Sequence, residues 1–271
     1  MKIVTVIPIK KGIGRETLSY FTTKEVVIGS IVEIPLRNKS SYGLVVETKE
    51  AGDLKSQIKS LSYSIKKIDM SAPGSETKSF PFLGEDFILG TQKIADYNAS
   101  SIGSILSVFI PKIILEESKN LPHVEKERPD GIFHETLLLQ TDDDERFSTY
   151  KSLIREEFAK KRSVFFCLPT TEDLLNTKEI LEKGIEKYTY SLNSSLNKKE
   201  LISNWKNILE EKHPVLIIGT GPFLSIPRKD LGTIVIEKES SRGYKIQTMP
   251  YLDLRIAIEE IAKALKIRLF L

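Results

Sequence analysis

Cysteine occurs once in these 271 residues, at Cys167. That excludes an internal disulfide and any zinc module built on cysteines. Inside an apolar strand the thiol reads as inert core. Histidine is nearly as scarce, with three. His123 and His134 lie in or beside a charged, proline-bearing stretch and His213 precedes Pro214, none at ligand spacing, so no metal is expected. Long hydrophobic runs are also missing. The longest, residues 105–110 and 215–218, fall far short of the ~20 apolar residues that cross a bilayer. The opening MKIVTVIPIKK alternates into lysines with no small-residue cleavage site behind it, so it reads as a strand and not a signal peptide. Cytoplasm is the expected compartment, without a membrane partner.

At 40% hydrophobic and 28% charged residues, the composition is that of a globular protein long enough for two domains. The net charge of +3 is unevenly spread. Residues 1–70 hold twelve Lys/Arg and seven Asp/Glu, a balance of +5; the remainder hold 28 and 30, a balance of −2. A basic first part suggests a polyanion partner, although surface lysines alone would give the same count.

The organising stretch is residues 29–46, GSIVEIPLRNKSSYGLVV. It reads as two strands, 30–36 and 42–47, joined by a polar turn, with Pro35 tolerable at a sheet edge. Strands at 2–9 and 16–21 and a basic segment at 58–68 complete a small antiparallel β-barrel, a scaffold that commonly binds nucleic acid. Residues 70–81 read as a loop. Residues 83–98 have helical periodicity through Phe87, Ile88, Ile94, Ala95 and Tyr97, and 102–115 form a second apolar element broken at Pro111. Residues 116–135 read as a linker between domains 1–115 and 136–271. Beyond it, strands at 136–139, 164–168, 188–191, 215–218, 233–236 and 267–271 alternate with helices at 148–161, 171–183, 197–211 and 252–265. That is the pattern of a parallel, doubly wound sheet. The fold class is therefore α+β and multi-domain: a small antiparallel β-barrel with two helical elements, then a parallel α/β domain.

Several stretches, in order, resemble the primosomal protein N′ family, the replication-restart helicases of bacteria. VIGSIVEIPLRNKSSYGLVVE resembles that family's strand–turn–strand hairpin, and ADYNASSIGSILSVFIPKIIL its ala-asp-tyr-tyr segment. Trp205 stands at the family's helical tryptophan, VLIIGTGPFL at its gly-thr-arg run, and LGTIVIEKESSRGYK at its asp-glu-glu-his strand. The resemblance implies a module for nascent 3′ DNA ends in residues 1–115. It implies the first motor lobe of a superfamily 2, P-loop-NTPase-like helicase in residues 136–271. The family's second lobe and zinc-binding cysteines have no counterpart, so a divergent, truncated member is expected. ATP and Mg²⁺ are the cofactors the family implies.

A phosphate-binding loop needs glycines, a lysine on the phosphates and a hydroxyl on Mg²⁺. Aligned on Tyr150, this chain places Asp143 and Glu145 at the glycines, Arg146 at the lysine and Phe147 at the hydroxyl. Each carboxylate–phosphate pair at ~4 Å costs roughly 4 kcal/mol at an effective dielectric near 20. Glu237 and Lys238 stand where carboxylates hold Mg²⁺ and orient water, and Gly221 replaces the family arginine. The expectation is no catalytic residue and no bound cofactor, the lobe persisting as a scaffold.

For DNA, the family's pocket lysine corresponds to Lys59, and Lys10, Lys11, Arg15, Lys39, Lys66 and Lys67 are candidates for phosphates. Tyr20, Phe21 and Tyr42 are candidates for stacking, with core packing as the alternative for each. Ser19 replaces the acid of the family's phe-asp pair, and Arg37 the hairpin glycine. The expected function is binding of forked or single-strand-containing DNA near 3′ ends without hydrolysis. Other restart proteins are possible partners. The alternatives are an ATP-dependent helicase completed by another chain and a protein–protein adaptor.

Overall fold

A computed structural model describes residues 1–13, 15–37, 39–50, 65–68, 80–122, 131–138 and 142–271. Its first sheet is built from β1 (Lys2–Pro8), β2 (Leu18–Thr22), β3 (Ile31–Leu36), β4 (Lys39–Glu50) and β5 (Lys66–Lys67). They lie in the order β3-β4-β1-β2-β5. The β3–β4 hairpin is tighter than the sequence suggests: Leu36 pairs with Lys39, leaving a two-residue turn. Pro35 sits on an edge strand, where its missing N–H costs no ladder bond.

Among the described residues the sheet departs from the expected barrel in two ways. Its fifth strand pairs with β2 in parallel, and β3 and β5 are edges there, with no backbone bond between described residues closing the sheet. It is nonetheless curled. The Tyr20 hydroxyl on β2 donates to the Pro35 carbonyl on β3 at 3.1 Å, and Lys66 Nζ on β5 donates to the Arg37 carbonyl at 3.5 Å. A register shift between Thr5 and Val6 assists the bend. Val4, Val6, Tyr20, Val26, Val32, Ile34, Val45 and Ile68 fill the inside. Of the basic segment 58–68, residues 58–64 lie outside the described residues, as does most of the loop 70–81.

Helices α1 (Glu85–Tyr97), α2 (Ile102–Phe109) and α3 (Lys112–Glu117) follow, with Pro111 starting the last. Pro at a helix start loses no bond, which explains why the apolar run is divided there. On α1 the buried stripe is Phe87, Gly90, Thr91, Ile94 and Ala95. Tyr97, expected on it, is instead 69% exposed in the last turn.

The second sheet has six strands, all parallel: β6 (His134–Thr136), β7 (Ser163–Leu168), β8 (Thr189–Leu192), β9 (Leu216–Thr220), β10 (Leu231–Ile236) and, after a small ribbon of β11 (Lys245–Ile246) with β12 (Leu252–Asp253), β13 (Arg268–Phe270). Their order is β6-β13-β10-β7-β9-β8. Between them run α4 (Asp143–Ala159), α5 (Thr171–Leu181), α6 (Lys198–Glu210) and α7 (Leu254–Leu265). Side chains of β7 alternate between faces. Val164, Phe166 and Leu168 meet Tyr150, Leu153 and Ile154 of α4 and Leu174 of α5. Phe165 and Cys167 join the core that holds Trp205 of α6 and Ile258 of α7. Alternation on a two-sided sheet dictates this doubly wound arrangement. Residues of the first sheet, α1 and α2 share that latter core, so one apolar interior runs through both halves. No described helix is long and apolar enough to cross a membrane.

Candidate nucleic-acid interface and the rim of the parallel sheet

The register of the first sheet sorts its charges. Pro8 pairs with Gly43, Val6 with Leu18 and Leu36 with Lys39, so the β1–β2 connection and the β3–β4 turn share one end of the sheet. That end carries Lys10, Lys11, Arg15, Arg37 and Lys39, all exposed. Lys66 joins them through its bond to the Arg37 carbonyl, with Lys67 beside it. Lys10, Lys11, Arg37, Lys39, Lys66 and Lys67 form no ion pair with a described residue. At the opposite end Lys2 is held by Glu25 at 2.6 Å and Glu50 at 3.5 Å, and Lys49 by Glu47 at 2.6 Å. Unpaired cations thus cluster at the loop end, while Lys24, just beyond Thr22, is left without an ion pair to a described residue at the other. The loop end is braced by α2: Ile102 N donates to Glu16 Oε2 at 3.2 Å, and Gly103 lets the helix approach Pro8, whose carbonyl would lie 1.9 Å from an added Cβ.

Two of the three aromatic candidates, Tyr20 and Tyr42, do not join this cluster. Tyr20 is 4% exposed inside the curl, and burial raises its phenol above the usual range. Its ring has no open face for a base, so packing and the Pro35 bond are its role here. Tyr42 packs on the opposite side, against the shared core. Its phenol is raised first by burial and then by Glu33, Glu116 and Glu117, carboxylates that would repel a phosphate chain. Ser19 pairs with Thr5 and, one residue from Tyr20, faces away from it. Phe21 shares that outward face and pairs in register with Lys67, beside the cluster. Lys59 lies outside the described residues.

At the C-terminal rim of the parallel sheet, where open α/β sheets place ligands, the structure corrects one helix start. Helix α4 begins at Asp143, five residues before the predicted 148. Asp142 caps it, accepting from Glu145 N at 2.8 Å, and Asp143, Asp144 and Glu145 occupy its first turn. Carboxylates there are favoured by the helix dipole, so the acids extend the helix. Arg146 Nη1 bonds Asp143 at 2.7 Å, and its Nε lies 3.1 Å from Glu237 Oε1. Glu237, 2% exposed at the end of β10, also accepts from the Tyr150 hydroxyl at 2.5 Å. Burial, reinforced by Glu237, pushes Tyr150 far above its ordinary range. Burial acts against the Arg146 charge, but Glu237 and Asp143 outweigh it and its pKa rises. Phe147 is partly buried under the Arg146 guanidinium, 5.2 Å from ring centre to Cζ.

Next to Glu237, Lys238 adopts a left-handed φ of 53° and pairs with Asp173 at the start of α5, which also accepts from Thr170 Oγ1 at 2.6 Å. Tyr244, fully buried, places its hydroxyl 2.9 and 2.7 Å from the carbonyls of Cys167 and Glu237. Arg146, Glu237 and Lys238 are therefore each ion-paired within the chain, although Arg146 Nε makes no hydrogen bond with a described residue. Asp173 and Tyr244 were not legible as members of this group. In the sequence Tyr150 serves as an alignment anchor and not as a member; it stands four residues after Arg146 on one face because α4 starts at Asp143 and not at 148. The residues fit ATP and Mg²⁺ poorly: the guanidinium already holds two carboxylates, and no hydroxyl stands at Phe147.

Comparison with known proteins bears on the first sheet most directly. Residues 5–111 match the family model for the PriA 3′DNA-binding domain (3′BD). The chain is 23% identical over 261 residues to the replication restart protein PriA of Helicobacter pylori, covering 88% of this chain and 37% of that one. It is 28% identical over 250 residues to that of Rickettsia prowazekii (84% and 36%), and 28% over 241 residues to that of Rickettsia conorii (82% and 35%). The chain thus spans little more than a third of the length of these relatives.

Proposed function

We propose that this chain, a divergent relative of the PriA proteins, binds DNA in replication restart through the cationic loop end of its first sheet. The observation that carries the reading is a coincidence of two findings. The segment matching a 3′DNA-binding domain contains the sheet whose unpaired cations gather at one end. With Tyr20 closed off inside the curl, contact is chiefly to phosphates, and forked or single-strand-containing DNA is preferred by shape. Fluorescence anisotropy against a fork with a 3′ end and a plain duplex, at two salt concentrations, tests this. Binding in the micromolar range or tighter is expected at low salt, weakening steeply as salt rises by about 0.7 in log–log slope per phosphate neutralised on single strands. Absence of salt-sensitive binding overturns it.

The parallel lobe serves as scaffold and does not hydrolyse ATP in this reading. Support comes from the Asp143–Arg146–Glu237–Tyr150 cluster, which uses the groups that would otherwise meet phosphate and metal. DNA-stimulated ATP turnover lost on Arg146→Ala or Glu237→Gln would instead establish a motor. Other restart proteins remain partners to test by DNA-independent pulldown.

A further inference from the structure

The two rims of the parallel sheet differ in charge. In a parallel sheet every helix-to-strand connection lies at the N-terminal rim of the strands. Here those preceding β7, β10 and β13, three neighbouring strands, carry Lys160, Lys161 and Arg162, then Lys229, then Lys266. Lys160 is paired with Glu156 at 2.5 Å, and Arg268 of β13 lies 3.7 and 3.9 Å from Glu156 and Glu157. Asp230, the acid nearest Lys229, is held by Arg228 at 2.7 Å. Lys161, Arg162, Lys229 and Lys266 form no ion pair with a described residue. The C-terminal rim is mixed, with Asp142, Asp143, Asp144, Glu145, Glu172 and Glu239 beside Lys238, Arg242 and Lys245, so acids oppose a polyanion there.

Backbone conformation adds a second, independent observation. Among the described residues, five non-glycine residues have positive φ: Arg37, Lys161, Lys238 and Lys266, at 55°, 57°, 53° and 54°, and Ala99. Four of the five are cations. Lys161 and Lys266 follow the ends of α4 and α7, where glycine or asparagine is at ease. The helix dipole favours a cation there, yet it acts on neighbouring positions without the strain. Arg162 is accommodated too: Gly232 leaves room for its stem, whose Cδ would lie 2.5 Å from an added Cβ.

We propose that this N-terminal rim is a second DNA-binding surface, gripping the phosphate backbone through Lys161, Arg162, Lys229 and Lys266. Adjacent strands lie ~4.8 Å apart, so three loops span about 10 Å. Duplex DNA presents one charge per ~1.7 Å of axis, enough to meet all four cations. The inference rests on the proposed DNA-binding role but on different residues.

The test is a Lys161→Asn/Arg162→Gln/Lys229→Gln/Lys266→Asn variant of the full chain, titrated with a 30-base-pair duplex across salt. Asparagine tolerates the left-handed region, so melting temperature is expected to hold. The log–log salt slope should fall by about 0.9 for each phosphate no longer neutralised, with at least tenfold weaker binding at low salt. A version with arginine at all four positions should bind like the parent. A parallel Arg37→Gly/Lys39→Gln/Lys66→Gln variant separates the two surfaces. Weaker binding only in this second variant overturns the rim proposal and leaves the loop-end reading standing; weaker binding only in the first does the reverse. Weaker binding in both supports both, and unchanged binding in both overturns both.

Discussion

Arg37 shows how one residue serves two demands that conflict. It occupies a two-residue turn with φ of 55°, a conformation that costs an ordinary side chain roughly 1 kcal/mol relative to glycine. Its carbonyl accepts from Lys66, so the turn also helps hold the curl, while its guanidinium faces solvent. Arg37→Gly should therefore raise stability by up to ~1 kcal/mol in urea unfolding and weaken DNA binding at the same time. The carbonyl bond is kept by the glycine, so the curl survives. Stability falling together with affinity would mean that the arginine side chain, and not its charge, is what the turn requires. The same trade was readable from the sequence only as a missing glycine; that the strained φ persists could be learned only from the folded turn.

Among the elements, the ion pair joining the end of β10 to the start of α5 gives a pH prediction. Burial raises the Asp173 pKa, but the Lys238 ammonium and the Thr170 hydroxyl outweigh it, and the net shift is downward. A carboxyl depressed in the fold contributes stability that is present above its unfolded value near ~3.9 and is lost as pH falls through the folded value. Asp173→Asn should be less stable at pH 7 yet lose less on acidification below about pH 4, as urea midpoints from about pH 3 to 7 would show. Parallel slopes for the two proteins would remove Asp173 from the acid limb. These elements also mark what the sequence could reveal. Short apolar runs between amphipathic stretches located five of the six parallel strands, because burial on two faces leaves little else. The edge strand β6, largely exposed, runs from His134 to Thr136 and meets the predicted 136–139 only at Thr136. The start of α6 was legible as a boundary at 197, and the structure adds that Asn197 caps it in a box with Glu200. The start of α4 was not, since four successive acids read equally as a loop or as a first helical turn. The Tyr20–Pro35 closure was illegible for a different reason: curl depends on contacts between strands that never pair.

On the scale of the whole molecule, the two sheets are joined by more than a linker. Gly90 of α1 brings that helix against Ile261 and Ala264 of α7, where an added Cβ would lie 3.2 Å from each. Phe82 stacks on Trp205 with ring centres 6.4 Å apart and planes at 7°. Ser225 Oγ donates to the buried Phe109 carbonyl at 2.6 Å, and Lys198 holds Glu117 at 3.0 Å. Excision of the first 115 residues would strip cover from both partners. Ile94, Leu106 and Phe109 are all buried, and each such side chain contributes ~1.5–3 kcal/mol on burial. The halves should therefore unfold together. Trp205, the sole tryptophan, stands at the junction, so its fluorescence reports the seam while far-UV circular dichroism reports both sheets. Coincident urea transitions by the two probes are expected, and Phe82→Ala should shift both by the same ~3–5 kcal/mol typical of a buried aromatic truncation. A fluorescence transition that precedes the loss of helix would instead show the sheets parting before either melts. The end proposed to bind DNA would then be free to move relative to the parallel lobe, and the two cationic surfaces would not act on one fixed stretch of DNA.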